Sequence, residues 1–212
     1  MKKHALIVAG GAPPSPELLD AEIARADFVI AADSGANALA RRDIERLTLV
    51  GDFDSIAPDV MEMYRQKKNE ILVSDTHKDE TDTLLALDVA IARGARTVTI
   101  LGALGKRLDH AYANIALLLY AKKHGAAAEL KDEVTCAFLA KKESCFSVDI
   151  GNHVSVFSIT KRCRFISSEG LAYPLDNLKL LRHKPIGVSN SATSEKVSIR
   201  IKSGTALVMI LQ

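Results

Sequence analysis

Short apolar runs alternate with helical segments through the first 140 residues of the chain. Five of these runs have the length of buried strands: residues 5–9, 28–32, 47–50, 71–73 and 97–101. Between and after them, apolar residues recur at helical spacing in four segments: residues 16–26, 58–64, 81–93 and 108–123. Because strands joined through helices pair in parallel, this alternation predicts a doubly wound, mainly parallel α/β sheet with helices on both faces.

The pattern changes after residue 141. Short runs then follow one another without helical segments, and several of them alternate apolar with polar residues: 146–150, 153–159, 164–167, 178–181, 196–201 and 207–211. Glycine, asparagine, aspartate and proline separate them, as in antiparallel sandwiches and barrels. We therefore expect residues 1–141 to form an α/β domain and residues 142–212 to form a small antiparallel β-sandwich domain.

Composition excludes several function classes. The 28 basic and 26 acidic residues leave a net charge of +2, whereas non-specific nucleic-acid binding usually needs a basic excess. The three cysteines are widely spaced, which argues against a disulfide framework or a zinc knuckle. The first apolar run is shorter than a secretory signal requires, and no run approaches the roughly 20 residues of a membrane span. We expect a soluble, cytoplasmic protein that binds neither nucleic acid nor membrane.

Aspartates follow several of the predicted strands. In open α/β sheets, ligands bind beyond the carboxyl ends of the strands, so these side chains are expected at one crevice. They are Asp33, Asp52, Asp54, Asp79, Asp82 and Asp109. Clustered carboxylates raise each other's pKa, and a bound divalent cation removes that penalty. Although any one of them alone could be a helix cap or a turn former, together they predict a Mg²⁺–phosphate site.

Residues 102–109 add a basic component to this edge. Their glycines allow backbone N–H groups to approach an anion, while Lys106 and Arg107 supply positive charge. The segment lacks the spacing of a Walker A loop, and the two cations could equally be a solvated pair at a helix start. Asn114 lies in the apolar helical segment that follows, so its amide needs partners, either in another loop or in a nucleotide.

Six motifs, in order along nearly the whole chain, resemble the thiamine pyrophosphokinase family. They are Asp33-Ser34-Gly35-Ala36-Asn37, Gly51-Asp52-Phe53-Asp54-Ser55, Lys78-Asp79-Glu80-Thr81-Asp82, Gly105-Lys106-Arg107-Leu108-Asp109-His110 with Asn114, Gly170-Leu171-Ala172-Tyr173-Pro174-Leu175 and Gly187-Val188-Ser189-Asn190. The resemblance implies a catalytic α/β domain, a thiamine-binding β-sandwich domain, Mg²⁺, and a homodimer with thiamine at the subunit interface. The implied reaction moves the β,γ-pyrophosphoryl group of ATP to the hydroxyethyl oxygen of thiamine and releases AMP.

The resemblance also assigns roles residue by residue. Asp52, Asp54 and Asp82 match the metal-binding acids, with Asp79 supporting them and Arg107 binding phosphate. The residues expected at ATP are Gly10, Gly11, Asp33, Ser34, Gly35, Lys106, Asp109, His110 and Asn114. Those expected at thiamine are Tyr173, Ser189 and Asn190. Family members often carry an aromatic residue shortly after the last pair, and Ser191-Ala192-Thr193-Ser194 stands there instead, which leaves Tyr173 as a candidate for the ring contact.

The residues leave other functions open. A related pyrophosphokinase acting on a hydroxymethyl pterin would use the same acids with a different acceptor. A Mg²⁺-dependent phosphatase of the haloacid-dehalogenase type could use Asp52 and Asp54 as nucleophile and acid, although that family places the pair after its first strand. A nucleotide sensor without catalysis is the third alternative. In the kinase mechanism, Asp82 or Asp54 would accept or orient the proton of the thiamine alcohol.

Overall fold

The computed structural model describes residues 2–74, 79–105 and 107–212. The chain divides into two compact units, Met1–Glu133 and Val134–Gln212. Among the described residues, no helix combines the length and the apolar character needed to cross a membrane.

The first unit alternates strands and helices, as the sequence predicts. Its elements are β1 (Lys3–Val8), α1 (Pro16–Arg25), β2 (Phe28–Ala32), α2 (Gly35–Leu39), β3 (Leu47–Gly51), α3 (Pro58–Gln66), β4 (Glu70–Val73), α4 (Asp82–Ala92), β5 (Ala95–Leu101), α5 (Leu108–Lys123) and β6 (Ala127–Lys131). The strands lie in the order β6-β5-β1-β2-β3-β4, and all neighbours are parallel. Because β1 to β4 run outward before the chain returns to β5 beside β1, the order reverses between β1 and β5, as in doubly wound folds.

Both faces of this sheet are covered at its centre, whereas Val73 of the edge strand β4 is 75% exposed. Leu6 and Val8 of β1 pack into one core with residues of α1, α2 and α3. Ile7 lies between them in the strand, so its side chain points to the opposite face, and it too is fully buried. Parallel strands buried on both faces read as continuous apolar runs, which is why the sequence displayed them clearly.

The second unit is an antiparallel β-sandwich. Its strands are β7 (Thr135–Leu139), β8 (Glu143–Ser147), β9 (His153–Ser158), β10 (Arg162–Glu169), β11 (Lys179–Leu181), β12 (Asn190–Ser191), β13 (Lys196–Ser203) and β14 (Ala206–Leu211). Within this unit they form two layers, in the orders β12-β9-β14-β7 and β11-β10-β13-β8. Val156 and Val208 of the first layer share a core with Phe165 and Ile199 of the second. The predicted fold class is therefore confirmed.

Some predicted boundaries differ from the observed ones. The division at Glu133 precedes the predicted boundary at residue 141, because β7 pairs with β14 and so belongs to the second unit. Strand β8 begins at Glu143 and ends at Ser147, earlier than the predicted run at 146–150. Helix α2 and strands β6, β7 and β12 were not assigned from the sequence.

Candidate functional site

Three of the predicted acids converge at the carboxyl ends of two neighbouring strands. Asp33 follows β2, whereas Asp52 and Asp54 follow β3, which pairs in parallel with β2. Each offers a carboxylate oxygen, and these oxygens all lie within 4.8 Å of one another. Asp33 and Asp52 are half-buried, whereas Asp54 is exposed. This group is the candidate cation site among the described residues.

A close approach of the two strand ends brings the acids together. The backbone N–H of Asp33 donates to the carbonyl oxygen of Val50 at 2.9 Å. Gly51 follows with a φ of +151°, and a Cβ there would lie 3.2 Å from the Cα of Asp33. A side chain at Gly51 would therefore push β3 away from Asp33, so the convergence of the acids depends on this glycine.

The loop after β3 does not stay extended. Phe53 has a φ of +65°, in the left-handed region, and its side chain packs against the core of the first unit. The backbone N–H of Asp54 then donates to Oδ1 of Asp52 at 3.3 Å. By sequence alone, Asp52 and Asp54 point the same way only if the segment stays extended. In the structure the two acids converge through a turn in which the partly buried Phe53 ring packs against the core.

The raised pKa and the buried oxygen of Asp33 are those expected of a cation ligand. Burial raises the pKa of Asp33 above its ordinary value of 3.8, and the negative charges of Asp82, Asp52 and Asp54 raise it further, whereas the Ser34 backbone N–H lowers it. Its Oδ1 is buried, and no described residue donates a hydrogen bond to it. A buried carboxylate oxygen without a donor is costly, and a bound cation would relieve that cost.

Asp82 and Asp79 lie at the start of α4. Thr81 caps this helix by accepting from the backbone N–H of Leu84 at 3.3 Å, and Asp82 is its first residue. Asp82 is half-buried and close enough for its charge to raise the pKa of Asp33. Asp79 is exposed. The structure thus groups Asp33 with Asp52 and Asp54, and it places Asp82 at the side of that group.

Arg107 and Asp109 bind each other. Nη2 of Arg107 lies 2.6 Å from Oδ2 of Asp109, and Nε lies 3.1 Å from Oδ1. The pKa of Asp109 is lowered to about 2, mainly by its hydrogen bonds with the Arg107 side chain and also by the His110 backbone N–H. Asp109 in turn raises the pKa of Arg107. Both side chains are well exposed, at 68% and 63%. His110 is exposed as well, and Lys106 lies outside the described residues.

The predicted nucleotide glycines hold loops close together. The backbone N–H of Gly11 donates to the Gly102 carbonyl at 2.8 Å, which joins the loops after β1 and β5. A Cβ at Gly10 would collide with Oγ of Ser34, so these two predicted ATP residues are neighbours. Asn114 is buried, and its Nδ2 donates to the Ala103 carbonyl at 2.8 Å. Of the two alternatives for Asn114, the structure shows the bond to a loop.

Gly35 has a packing role at the start of α2. A Cβ there would collide with the carbonyl of Val8 at the end of β1. The residue is buried, so the first turn of α2 is packed directly against the end of the strand. Gly35 therefore fixes the position of the element that follows Asp33.

In the second unit, Asn190 ties together the residues expected at thiamine. Its Nδ2 donates to the Tyr173 carbonyl at 2.7 Å, and its Oδ1 accepts from the backbone N–H groups of Tyr173 and Ser191, both at 2.9 Å. Asn190 is buried, whereas Tyr173 is 72% exposed. Ser189 is exposed, with a φ of +55°, and its N–H donates to Oγ of Ser155 at 3.0 Å. The side-chain amide of Asn190 thus binds the backbone of Tyr173 and Ser191, while the side chains of Tyr173 and Ser189 stay exposed and accessible to a ligand.

Asn37 contacts the acidic loop although its position in the sequence predicts no role for it. Asn37 in α2 donates from Nδ2 to the Ser55 carbonyl at 3.3 Å and accepts at Oδ1 from the backbone N–H of Ala57 at 3.1 Å. Ser55 in turn donates from Oγ to Oδ1 of Asp54 at 2.7 Å. The sequence shows only that an asparagine stands four residues after Asp33. Its contacts with the loop after β3 become visible only in the folded structure.

Comparison with known proteins agrees with this architecture. Residues 19–130 match the family model described as "Thiamin pyrophosphokinase, catalytic domain", and residues 133–206 match "Thiamin pyrophosphokinase, vitamin B1 binding domain". The chain is 26% identical to the thiamine pyrophosphokinase of Bacillus subtilis over 183 residues, which cover 85% of each chain. It is 26% identical to thiamine pyrophosphokinase 3 of Oryza sativa subsp. japonica over 233 residues, covering 97% of this chain and 85% of the relative.

Solved structures share the fold over nearly the full length. The crystal structure of thiamine pyrophosphokinase from Bacillus subtilis matches with a TM-score of 0.86 at 24% identity and covers 99% of both chains. Thiamin pyrophosphokinase from Geobacillus thermodenitrificans matches with a TM-score of 0.83 at 25% identity, covering 99% of this chain and 97% of that one. The Candida albicans enzyme reaches 0.84 at 16% identity, covering 99% and 90%.

Proposed function

The chain belongs to the thiamin pyrophosphokinase family of enzymes, and we propose that it transfers the β,γ-pyrophosphoryl group of ATP to the hydroxyethyl oxygen of thiamine. The products are thiamine diphosphate and AMP, and the reaction depends on Mg²⁺. The observation that carries this proposal is the convergence of Asp33, Asp52 and Asp54 in a chain whose two parts match the family's catalytic and vitamin B1 binding domains.

The donor set fits Mg²⁺. All three groups offer carboxylate oxygens, the ligands this ion prefers, and Asp33 adds a buried oxygen without a hydrogen-bond donor among the described residues. The three oxygens lie within 4.8 Å of one another, so Asp33, Asp52 and Asp54 would all be in reach of one cation placed among them. When bound, Mg²⁺ supplies positive charge that offsets the phosphate oxygens and the acids together.

The acids and Arg107 position the reacting groups. Asp33, Asp52 and Asp54 would hold the cation. The loops after β1 and β5, which the hydrogen bond from the Gly11 N–H to the Gly102 carbonyl joins, would offer their other backbone N–H groups to phosphate. Arg107 binds phosphate after leaving Asp109, an exchange that costs little because both side chains are exposed to water. Asp82 or Asp54 accepts or orients the proton of the thiamine alcohol as its oxygen attacks the β-phosphorus in line. Positioning dominates this step, since phosphoryl transfer demands little of a base.

The thiamine end of the site is proposed to come from the second unit. Tyr173 presents an exposed phenol ring on a backbone held by Asn190, and the side chain of Ser189, the residue before Asn190, is exposed as well. We propose that the Tyr173 ring contacts the aromatic rings of thiamine, since no aromatic residue follows Asn190 in the next four positions. We also propose a homodimer in which the acids of one subunit face the β-sandwich of the other. The cytoplasmic location stays a prediction.

The test is a stoichiometric assay. The protein is incubated with ATP, Mg²⁺ and thiamine, and AMP and thiamine diphosphate are quantified by chromatography. We expect the two products in equal amounts, and we expect neither with Asp54→Asn. The matched control is Asp43→Asn, which neutralises an exposed acid between α2 and β3.

Other outcomes would identify another activity. Phosphate release without an acceptor would support the phosphatase, and pyrophosphoryl transfer to a hydroxymethyl pterin but not to thiamine would support the related kinase. Binding of ATP without any turnover would support a sensor. Each of these results contradicts the proposed reaction.

A further inference from the structure

Asn37 connects the two elements that supply the three clustered carboxylates. It lies in α2, the helix that starts two residues after Asp33. Its amide spans the loop after β3 by donating to the Ser55 carbonyl at 3.3 Å and accepting from the Ala57 N–H at 3.1 Å. Donor and acceptor of one side chain are therefore both committed to the backbone of the loop that carries Asp52 and Asp54.

The helix that carries Asn37 is itself firmly anchored. Tyr64 of α3 is buried, and its hydroxyl donates to the Ala36 carbonyl at 2.9 Å. Gly35 packs against the end of β1 so closely that a Cβ would collide with it. Because α2 is held against α3 and β1, the hydrogen bonds of Asn37 fix the loop after β3 relative to these elements.

The loop needs such a connection. Asp54 and Ser55 are exposed, and the three carboxylates repel one another when no cation lies between them. Movement of the loop away from Asp33 would relieve that repulsion and would widen the spacing of the oxygens. The two hydrogen bonds of Asn37 oppose this movement.

We propose that Asn37 is a positioning residue for the cation site. Its side-chain amide holds Asp52 and Asp54 at the distance from Asp33 that a divalent cation requires, and it contacts the loop backbone rather than the cation. This inference rests on the proposed function, because it presupposes that the three acids bind the metal.

The test measures cation binding directly. Mn²⁺, which has the same preference for oxygen ligands as Mg²⁺, is titrated into the wild-type protein and Asn37→Ala, and the free ion is counted by electron paramagnetic resonance. We expect about tenfold weaker binding in the variant, as for the loss of two modest hydrogen bonds. In turnover assays the Mg²⁺ concentration for half-maximal rate should rise by a similar factor, while the rate at saturating Mg²⁺ recovers to within about twofold.

A merely structural role would not give this pattern. Asn37 and Ser55 are exposed, so water can replace the lost hydrogen bonds, and alanine has a higher helix propensity than asparagine. The urea midpoint should therefore change little while the affinity falls. The matched control is Gln66→Ala, which removes a surface amide that bonds Glu62 within α3, and it should bind Mn²⁺ like the wild type. If Asn37→Ala fails to fold, Asn37→Gln is compared with the wild type for Mn²⁺ binding instead. The longer glutamine side chain displaces the amide by one methylene, so the two hydrogen bonds to the loop are disturbed while an amide is retained.

The outcomes separate the two proposals. Equal Mn²⁺ affinity in wild type and Asn37 variants overturns the role of Asn37 and leaves the proposed function intact. Failure of the wild type to bind Mn²⁺ overturns the metal site, and this inference with it.

Discussion

Replacing Asp33 with asparagine should stabilise the fold while removing cation binding. Two charges 4.8 Å apart, the largest separation within the group, repel by about 3.5 kcal/mol at an effective dielectric constant of about 20 and by about 0.9 kcal/mol in water. Asp54 is exposed, so the smaller figure is closer for its pair. With the figure for water applied to both neighbours, we expect Asp33→Asn to raise the free energy of unfolding by at least about 2 kcal/mol at pH 8 without Mg²⁺.

The pH dependence follows from the raised pKa of Asp33. Protonated Asp33 favours the folded state, and this contribution is fully present below the unfolded pKa of 3.8 and lost as the pH rises through the higher folded value. The advantage of Asp33→Asn is therefore complete above the folded pKa and disappears at lower pH.

Differential scanning calorimetry measures both effects. For a chain of this size, about 2 kcal/mol corresponds to a Tm increase of about 4–8 °C. Adding Mg²⁺ should raise the Tm of the wild type and leave that of Asp33→Asn unchanged, because only the wild type binds the ion. Asp43→Asn is the control for simple loss of an exposed charge. A variant less stable than the wild type at pH 8, or one still stabilised by Mg²⁺, would refute the reasoning.

Three further substitutions probe the rest of the site. Asp82→Asn should lower turnover at least about a hundredfold with an unchanged urea midpoint, because Thr81 still caps α4; near wild-type turnover would remove Asp82 from the chemistry. Asn190→Ala should lower the free energy of unfolding in urea by about 2–3 kcal/mol, because the backbone N–H and carbonyl of Tyr173 both lose their hydrogen-bond partner. A decrease below about 0.5 kcal/mol, the usual range of neutral surface substitutions, would contradict this role. Tyr173→Ala should raise the KM for thiamine about tenfold without changing the KM for ATP, whereas Tyr173→Phe should leave both unchanged; a rise in both constants would argue against a thiamine contact.

Local sequence patterns were sufficient for most of the architecture of the first unit, but not for α2 and β6. Strand β2 spans Phe28–Ala32 and helix α5 spans Leu108–Lys123, with the predicted limits, because buried parallel strands and long apolar helices leave strong local patterns. Helix α2 has only five residues, too few for periodicity to show. Strand β6 includes Glu129 and Lys131 among its five residues, so it does not resemble an apolar run.

The sequence by itself determined which loops carry the candidate site residues, since acids and glycines after buried strands mark the carboxyl edge of a parallel sheet. Only the tertiary structure decided how those loops meet. Asp33 joins Asp52 and Asp54 because Gly51 admits a close approach and Phe53 turns left-handed over the core. The side-chain amides of Asn37 and Asn190 hold the backbone of other loops in place through hydrogen bonds. Such contacts depend on distances between segments far apart in the chain, which local patterns of residues do not encode.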